Sequence, residues 1–285
     1  MPRADVPAAM KTVRIGGFSV SNRRPVFYIA GTCSFESEPL LARVGRSLKA
    51  LFRAHKADWV LKCSFDKANR TALGSYRGPG MARALEAFAR VKAELGVPML
   101  TDVHEPGQAA VVAKVVDVLQ IPAFLCRQTD LLLAAGRTGR AVNIKKGQFL
   151  APWDVANAVA KVESTGNRSI LLTDRGTSFG YGNLVVDMRS FPIMARTGYP
   201  VVLDATHACQ LPGALGNATG GDRSFVPALA RAAAAVGVAG LFLETHPDPD
   251  KARSDGPNSI KLSDVPALVR QISAIDRLDK NGGRP

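Results

Sequence analysis

Short apolar runs recur along the chain at residues 26–30, 58–62, 97–101, 116–121, 141–145, 169–173, 199–203 and 238–243, each bounded by turn residues. They are apolar throughout rather than alternating. Strands of that kind need cover on both faces, as in an all-parallel sheet wrapped by helices. Between them apolar positions fall at helical spacing. Leu40, Leu41, Val44, Leu48 and Leu51 form one such stripe; Met81, Leu85, Phe88, Val91 and Leu95 form another, which stops at Gly96 and Pro98. Eight strand–helix units predict an α/β fold, a (β/α)8 TIM barrel in which residues 1–285 make one domain. The competing doubly wound sheet is disfavoured, because no GxGxxG follows the first strand and no GxxxxGK[ST] occurs. VRIGGFSV at 13–20 predicts a β-hairpin capping the bottom of the barrel, and the polar, glycine-rich residues 279–285 predict a flexible tail.

Apolar residues make up 46% and charged residues 21% of the chain, the composition of a folded globular protein rather than a disordered one. No apolar run reaches the length of about 18 residues that a membrane span needs, and the opening MPRADVPAAMKTV lacks the core of a signal peptide. The four cysteines form no CxxC pair, so neither a zinc finger nor a disulfide scaffold is expected, and a reducing cytoplasm fits.

Charge changes the picture more. Lys and Arg number 37 against 24 Asp and Glu, a net charge of +13, which favours an anionic partner. Nucleic acid is one candidate, but aromatics are only 6% and scattered, without the stacking stripe such a surface needs. Small phosphorylated metabolites fit better. Part of the charge is expected to be solvated helix surface, at Arg43, Arg46, Lys49, Arg53 and Lys56.

In a barrel the chemistry sits at the C-terminal ends of the strands. There the sequence places Cys33, Lys62, Asp102 with His104, Gln120, Lys145, Asp174 with Arg175, Asp204 with His207, and Glu244. Buried charge is costly unless paired or liganded, so these groups predict one polar pocket. Lys62, Lys67, Arg70, Lys145 and Arg175 would give it the fixed cations that a phosphate or carboxylate requires, although each alone is equally compatible with an ordinary ion pair. Cys33, His207, Glu244 and Asp255 offer a sulfur, an imidazole and two carboxylates, a set suited to a first-row divalent ion. Their spacing alone does not separate a ligand Cys33 from a packing one.

Several segments resemble the 3-deoxy-D-manno-octulosonate 8-phosphate synthase family: IAGTCSFES around Cys33, KCSFDKANRTALGSYRGPG around Lys67, TDVHEP, LQIPAFLCRQTDL, VNIKKGQF, TDRGTSFGYGNLVVDM, DATHACQ and LFLETHPDPDKARSDGPN. The motifs span about the whole chain in the family's order, and KANR followed by a hydroxyl residue is the most specific. The resemblance implies a barrel enzyme, without organic cofactor, that condenses phosphoenolpyruvate with D-arabinose 5-phosphate and water, a step toward the sugar of lipopolysaccharide. It implies that Lys62, Lys67, Lys145 and Arg175 hold phosphoenolpyruvate, with Gln120, Pro122 and Ala123 lining that site. Asn69, Arg70 and Thr71 would hold the sugar phosphate. Thr71 stands where the family more often has Ser, and keeps the hydroxyl.

Arg127 resembles the residue that reaches a neighbouring subunit's sugar phosphate, which implies a homotetramer with shared sites. Metal-independent members carry Asn at the position of Cys33. Cys33 and the SDGPN context of Asp255 therefore resemble the metal-dependent branch, with Cys33, His207, Glu244 and Asp255 as ligands to Zn, Fe, Mn or Co. Asp255 is also a candidate proton acceptor. Asp102 and His104 are candidates to organise water or sugar hydroxyls, or a structural pair. The alternatives are the related synthase that joins phosphoenolpyruvate to erythrose 4-phosphate, whose usual KPR-type segment is absent here, and a basic nucleic-acid-binding protein.

Overall fold

The computed structural model describes residues 9–213 and 220–281. Eight parallel strands, β1 (Phe27–Ser34), β2 (Trp59–Ser64), β3 (Met99–Asp102), β4 (Val118–Ile121), β5 (Ala141–Lys145), β6 (Ile170–Asp174), β7 (Val201–Asp204) and β8 (Gly240–His246), pair in chain order. β8 pairs with both β7 and β1, so the sheet closes. Every position of all eight strands is buried, which is why none alternates: the inner face fills the lumen and the outer face packs on helices.

The helices are α1 (Glu38–Ala54), α2 (Met81–Leu95), α3 (Pro106–Val112), α4 (Thr129–Arg137), α5 (Val155–Glu163), α6 (Ser190–Ala195), α7 (Val226–Val236) and α8 (Val265–Asn281). Local sequence sets their ends. Ser37 caps α1 by accepting the Leu40 N–H, with Glu38 and Pro39 in the first turn. Gly96 takes the left-handed conformation, φ 62°, that closes α2. α1 buries Leu41, Val44, Leu48 and Phe52 against the barrel and exposes Arg43, Arg46, Lys49 and Arg53, and Lys56 is exposed in the turn after it. Among the described residues no helix is long and apolar enough to cross a membrane.

The hairpin forms as expected, Val13–Ile15 against Phe18–Val20. Asn22 behind it donates to the Tyr199 carbonyl (2.9 Å) and accepts the Val201 N–H (2.8 Å), so the hairpin is tied to the N-terminal end of β7. α8 continues through residues 279–281 of the expected tail, and 282–285 lie outside the described residues.

Seven of the eight strands begin one or two residues after the start of the apolar run and β5 begins with it, and six continue one to four residues beyond it. The extra residues include Thr32, Cys33, Asp102, Asp174, Asp204 and Glu244. A hydrophobic criterion stops at the first polar residue, whereas the backbone ladder does not. Gly31, opposite Lys62 on β2 and Glu244 on β8, sits where strands crowd: a Cβ there would run into the Lys62 carbonyl oxygen.

Candidate active site

Cys33 near the end of β1, His207 in the turn after β7, Glu244 on β8 and Asp255 in the loop after β8 bring their donor atoms within 4.8 Å of one another. Cys33 Sγ donates to Asp255 Oδ2 at 3.0 Å. His207 Nε2 lies 3.4 Å from Glu244 Oε2 and 3.8 Å from Asp255 Oδ2. His207 Nδ1 is 2.7 Å from Asp204 Oδ2. That contact assigns the Nδ1 proton to the Asp204 bond and turns the Nε2 lone pair toward the cluster, the arrangement in which a carboxylate orients a ligand imidazole. Glu244 Oε2 is buried and has no hydrogen-bond partner among the described residues, which is costly for a carboxylate oxygen unless a cation meets it. Burial, then Asp255 and Glu244, push the Cys33 thiol well above its ordinary value, and a divalent ion would supply the charge that stabilises the thiolate. Asp255 holds the left-handed conformation, φ 50°, with its carbonyl accepting the N–H groups of Asn258 and Ser259. Strain of this kind, fixed by surrounding bonds, is typical of functional positions. The four residues therefore fit a first-row divalent ion.

Four cations ring this quartet. Lys62, fully buried, donates to Glu244 Oε1 and to the carbonyls of Cys33 (2.6 Å) and Thr32 (3.3 Å). Lys67 Nζ is 4.0 Å from the same Glu244 oxygen. Lys145 Nζ lies 2.5 Å from Asp204 Oδ2 and 3.8 Å from the centre of the Phe242 ring; burial pushes its ammonium down and Asp204 opposes that. Arg175 donates to Gln210 Oε1 and to the His207 carbonyl at 3.4 Å, and Gln210 Nε2 donates to Asp255 Oδ1 at 2.8 Å. Gln120, Asn143 and Thr173 form a hydrogen-bonded row across β4, β5 and β6 beneath them. Beside Asp255 opens a cleft of about 460 Å³ whose wall includes Arg70, Arg223 and Arg253. Arg70 Nη1 donates to Ser254 Oγ at 2.7 Å.

Asp102 and His104 lie together, Nε2 to Oδ2 2.9 Å. Burial pulls the imidazole down, but the Asp102 bond and charge outweigh it, so the His104 value is raised; Asp102 is lowered, its burial outweighed by His104. The signs bracket a window. A raised His stabilises below its unfolded value of about 6.5 and loses that contribution as pH rises through the folded value; a lowered Asp stabilises above about 3.9 and loses it in acid. The pair should contribute most between those limits. Histidine resonances in solution NMR should place the His104 midpoint above 6.5, and Asp102→Asn should move it down. A midpoint that ignores the substitution would mean the two groups are uncoupled.

Other expected residues are placed differently. Ala123 is buried and Pro122 half-buried, directly after β4. Asn69 and Thr71 are exposed on the loop after β2, and Arg127 is exposed beyond β4, where its carbonyl accepts from Lys161 Nζ at 2.8 Å. Asp174 does not join the pocket: its carboxylate accepts from Ser190 Oγ at 2.6 Å and the Gly176 N–H at 2.7 Å. By strand alternation it faces the helices, so a polar strand end is not always a lumen residue. Of the loop GNATGGD, residues 216–219 lie outside the described residues. Asp204 as the anchor of His207, Gln210 between Arg175 and Asp255, and Ser254 between Arg70 and Asp255 were not assigned from sequence. DATHACQ held the signal for the first, an acid three residues before the His; no spacing marks the other two.

The chain matches the model of the DAHP synthetase I family over residues 8–278. Proteins named 2-dehydro-3-deoxyphosphooctonate aldolase are similar along nearly their whole length. That of Nitrobacter winogradskyi is 57% identical over 274 residues, 96% of this chain and 96% of the relative. That of Bradyrhizobium diazoefficiens is 55% identical over 275 residues (96% and 98%), and that of Pelobacter propionicus 54% over 270 residues (95% and 99%). The closed barrel, the four-donor cluster inside its ring of cations, and this likeness over about 95% of the chain place the protein in the DAHP synthetase I family, among the 3-deoxy-D-manno-octulosonate 8-phosphate synthases that carry the aldolase name.

Proposed function

We propose that the protein condenses phosphoenolpyruvate with D-arabinose 5-phosphate and water to give 3-deoxy-D-manno-octulosonate 8-phosphate and inorganic phosphate. The observation that carries the reading is the gathering of Lys62, Lys67, Lys145 and Arg175 around a four-donor cluster at the strand ends. The family as a whole takes its name from DAHP synthetase, but the relatives above carry the aldolase name.

These cations bind the phosphate and carboxylate of phosphoenolpyruvate, with Gln120, Pro122 and Ala123 along its side. Asn69, Arg70 and Thr71 hold the sugar phosphate so that its aldehyde faces C3 of phosphoenolpyruvate. Fixing two anions in one orientation supplies proximity, and the cations stabilise charge that builds on the departing phosphate. A new bond forms between C3 and the aldehyde carbon, whose oxygen takes a proton. Water adds at C2 and gives up a proton, with Asp255 Oδ2 as the acceptor, and the resulting hemiketal phosphate breaks its C2–O bond to phosphate as the C2 hydroxyl becomes the ketone and passes its proton to the departing inorganic phosphate. Asp102 and His104 order the water or sugar hydroxyls. Held by Cys33, His207, Glu244 and Asp255, a divalent ion supplies Lewis acidity.

A homotetramer accounts for Arg127, which stands exposed three residues after Phe124, itself an exposed aromatic on the loop after β4. In an assembly it would reach a neighbour's sugar phosphate. Four free, buried cysteines suit a reducing cytoplasm. The test is direct. Inorganic phosphate should appear with phosphoenolpyruvate and arabinose 5-phosphate together, and erythrose 4-phosphate should support about a hundredth of that rate or less. Faster release with erythrose 4-phosphate would assign the other synthase.

A further inference from the structure

Lys146 is fully buried, yet it is neither in the cation ring nor at the metal quartet. Strand alternation explains where it goes. Asn143 and Lys145 on β5 face the lumen, as do Thr173 and Arg175 at the end of β6, so the residues beside the two cations, Lys146 and Asp174, turn to the helix-facing side. There Lys146 Nζ lies 3.7 Å from Asp174 Oδ1 and 3.3 Å from each of the Gly147 carbonyl, the Leu150 carbonyl and Thr177 Oγ1. Asp174 in turn accepts from Gly176 N–H and from Ser190 Oγ at the start of α6. The Lys146 N–H still bonds the Thr173 carbonyl at 2.7 Å, so the two strand tips run together to this point.

We propose that Lys146 and Asp174 are positioning residues for phosphoenolpyruvate. Their buried pair ties the tips of β5 and β6, the loop 147–150 and the turn at Thr177 into one unit, and so fixes the directions of Lys145 and Arg175, each one residue away. This rests on the reading of Lys145 and Arg175 as phosphoenolpyruvate ligands. A buried ion pair is often no more stabilising than an apolar pair of the same size. Its distinct effect here is geometric: two inward cations on separate strands keep a set separation only if the backbone between them does not shift.

The double variant Lys146→Met/Asp174→Asn removes both charges without leaving either unpaired. It should fold, and should raise the KM and the calorimetric Kd for phosphoenolpyruvate about tenfold or more, with the KM for the sugar phosphate within about twofold of wild type. A folded double variant with wild-type affinity for phosphoenolpyruvate, or one in which both KM values rise together, overturns the inference. Should that variant not fold, Thr177→Val removes one acceptor of the ammonium at an exposed residue. It should raise the phosphoenolpyruvate KM about threefold, and an unchanged value overturns the inference. Lys145→Met and Arg175→Met serve as references. If they bind phosphoenolpyruvate as wild type does, the ligand reading fails; if they lose it while the double variant keeps it, only the positioning role fails.

Discussion

Purified protein freed of divalent ions by a chelator is expected to lose about a hundredfold or more of its phosphate release, and to regain it when zinc, iron(II), manganese or cobalt is added back. The expectation comes from the donor set. Glu244 Oε2 is buried without a hydrogen bond among the described residues, the Nε2 face of His207 is aimed at it by Asp204, and the Cys33 thiol is held protonated by burial and two neighbouring carboxylates. A cation resolves all three conditions at once. Cys33→Ala should therefore lower metal content by elemental analysis as well as activity. The fold should survive chelation, with an unchanged circular dichroism spectrum, because Lys62 already compensates the other oxygen of Glu244. A full rate from a sample verified to be free of metal would refute the metal requirement.

Lys62→Met should destabilise the metal-free protein by about 3–5 kcal/mol, read as a lower urea midpoint with an unchanged slope. Both members of the Lys62–Glu244 pair are almost fully buried. Removing the ammonium strands a carboxylate in the lumen and leaves the Cys33 and Thr32 carbonyls without their donor. Nearby positive charge, that of His207 when protonated and then of Lys62 and Lys67, overcomes burial to hold Glu244 at about 2, so in the variant its proton should be bound at a higher pH. Adding Glu244→Gln should recover part of the stability but none of the turnover. An unchanged urea midpoint for Lys62→Met would show that Glu244 finds its compensation elsewhere.

The fold was legible because this architecture writes itself into the apolar pattern. Strands covered on both sides leave unbroken apolar runs, and stripes such as Leu41, Val44 and Leu48 mark the helices between them. The quartet was suggested by its donor types at the strand ends, and resemblance singled it out. Cys33, His207, Glu244 and Asp255 come from different parts of the chain, and nothing local connects a thiol at position 33 with a carboxylate at 255. The roles of Gln210 and Ser254 were beyond reach for another reason: each joins a cation to Asp255 through loop conformation, which no periodicity encodes. Asp174 shows the converse limit. Its position at a strand end was read correctly, but which face it occupies depends on a register that only the folded ladder fixes.

The crowding at Gly31 has a consequence for how this cavity can vary. The position has no side chain to contribute, yet it fixes the spacing between the segment that carries the thiol and the one that carries the lysine beside it. Even a methyl group would wedge those two segments apart, widening the ring of strands where donors and cations share oxygen atoms. The site is therefore constrained at a residue without a side chain, and its chemistry demands more of the sequence than the charged groups that carry it.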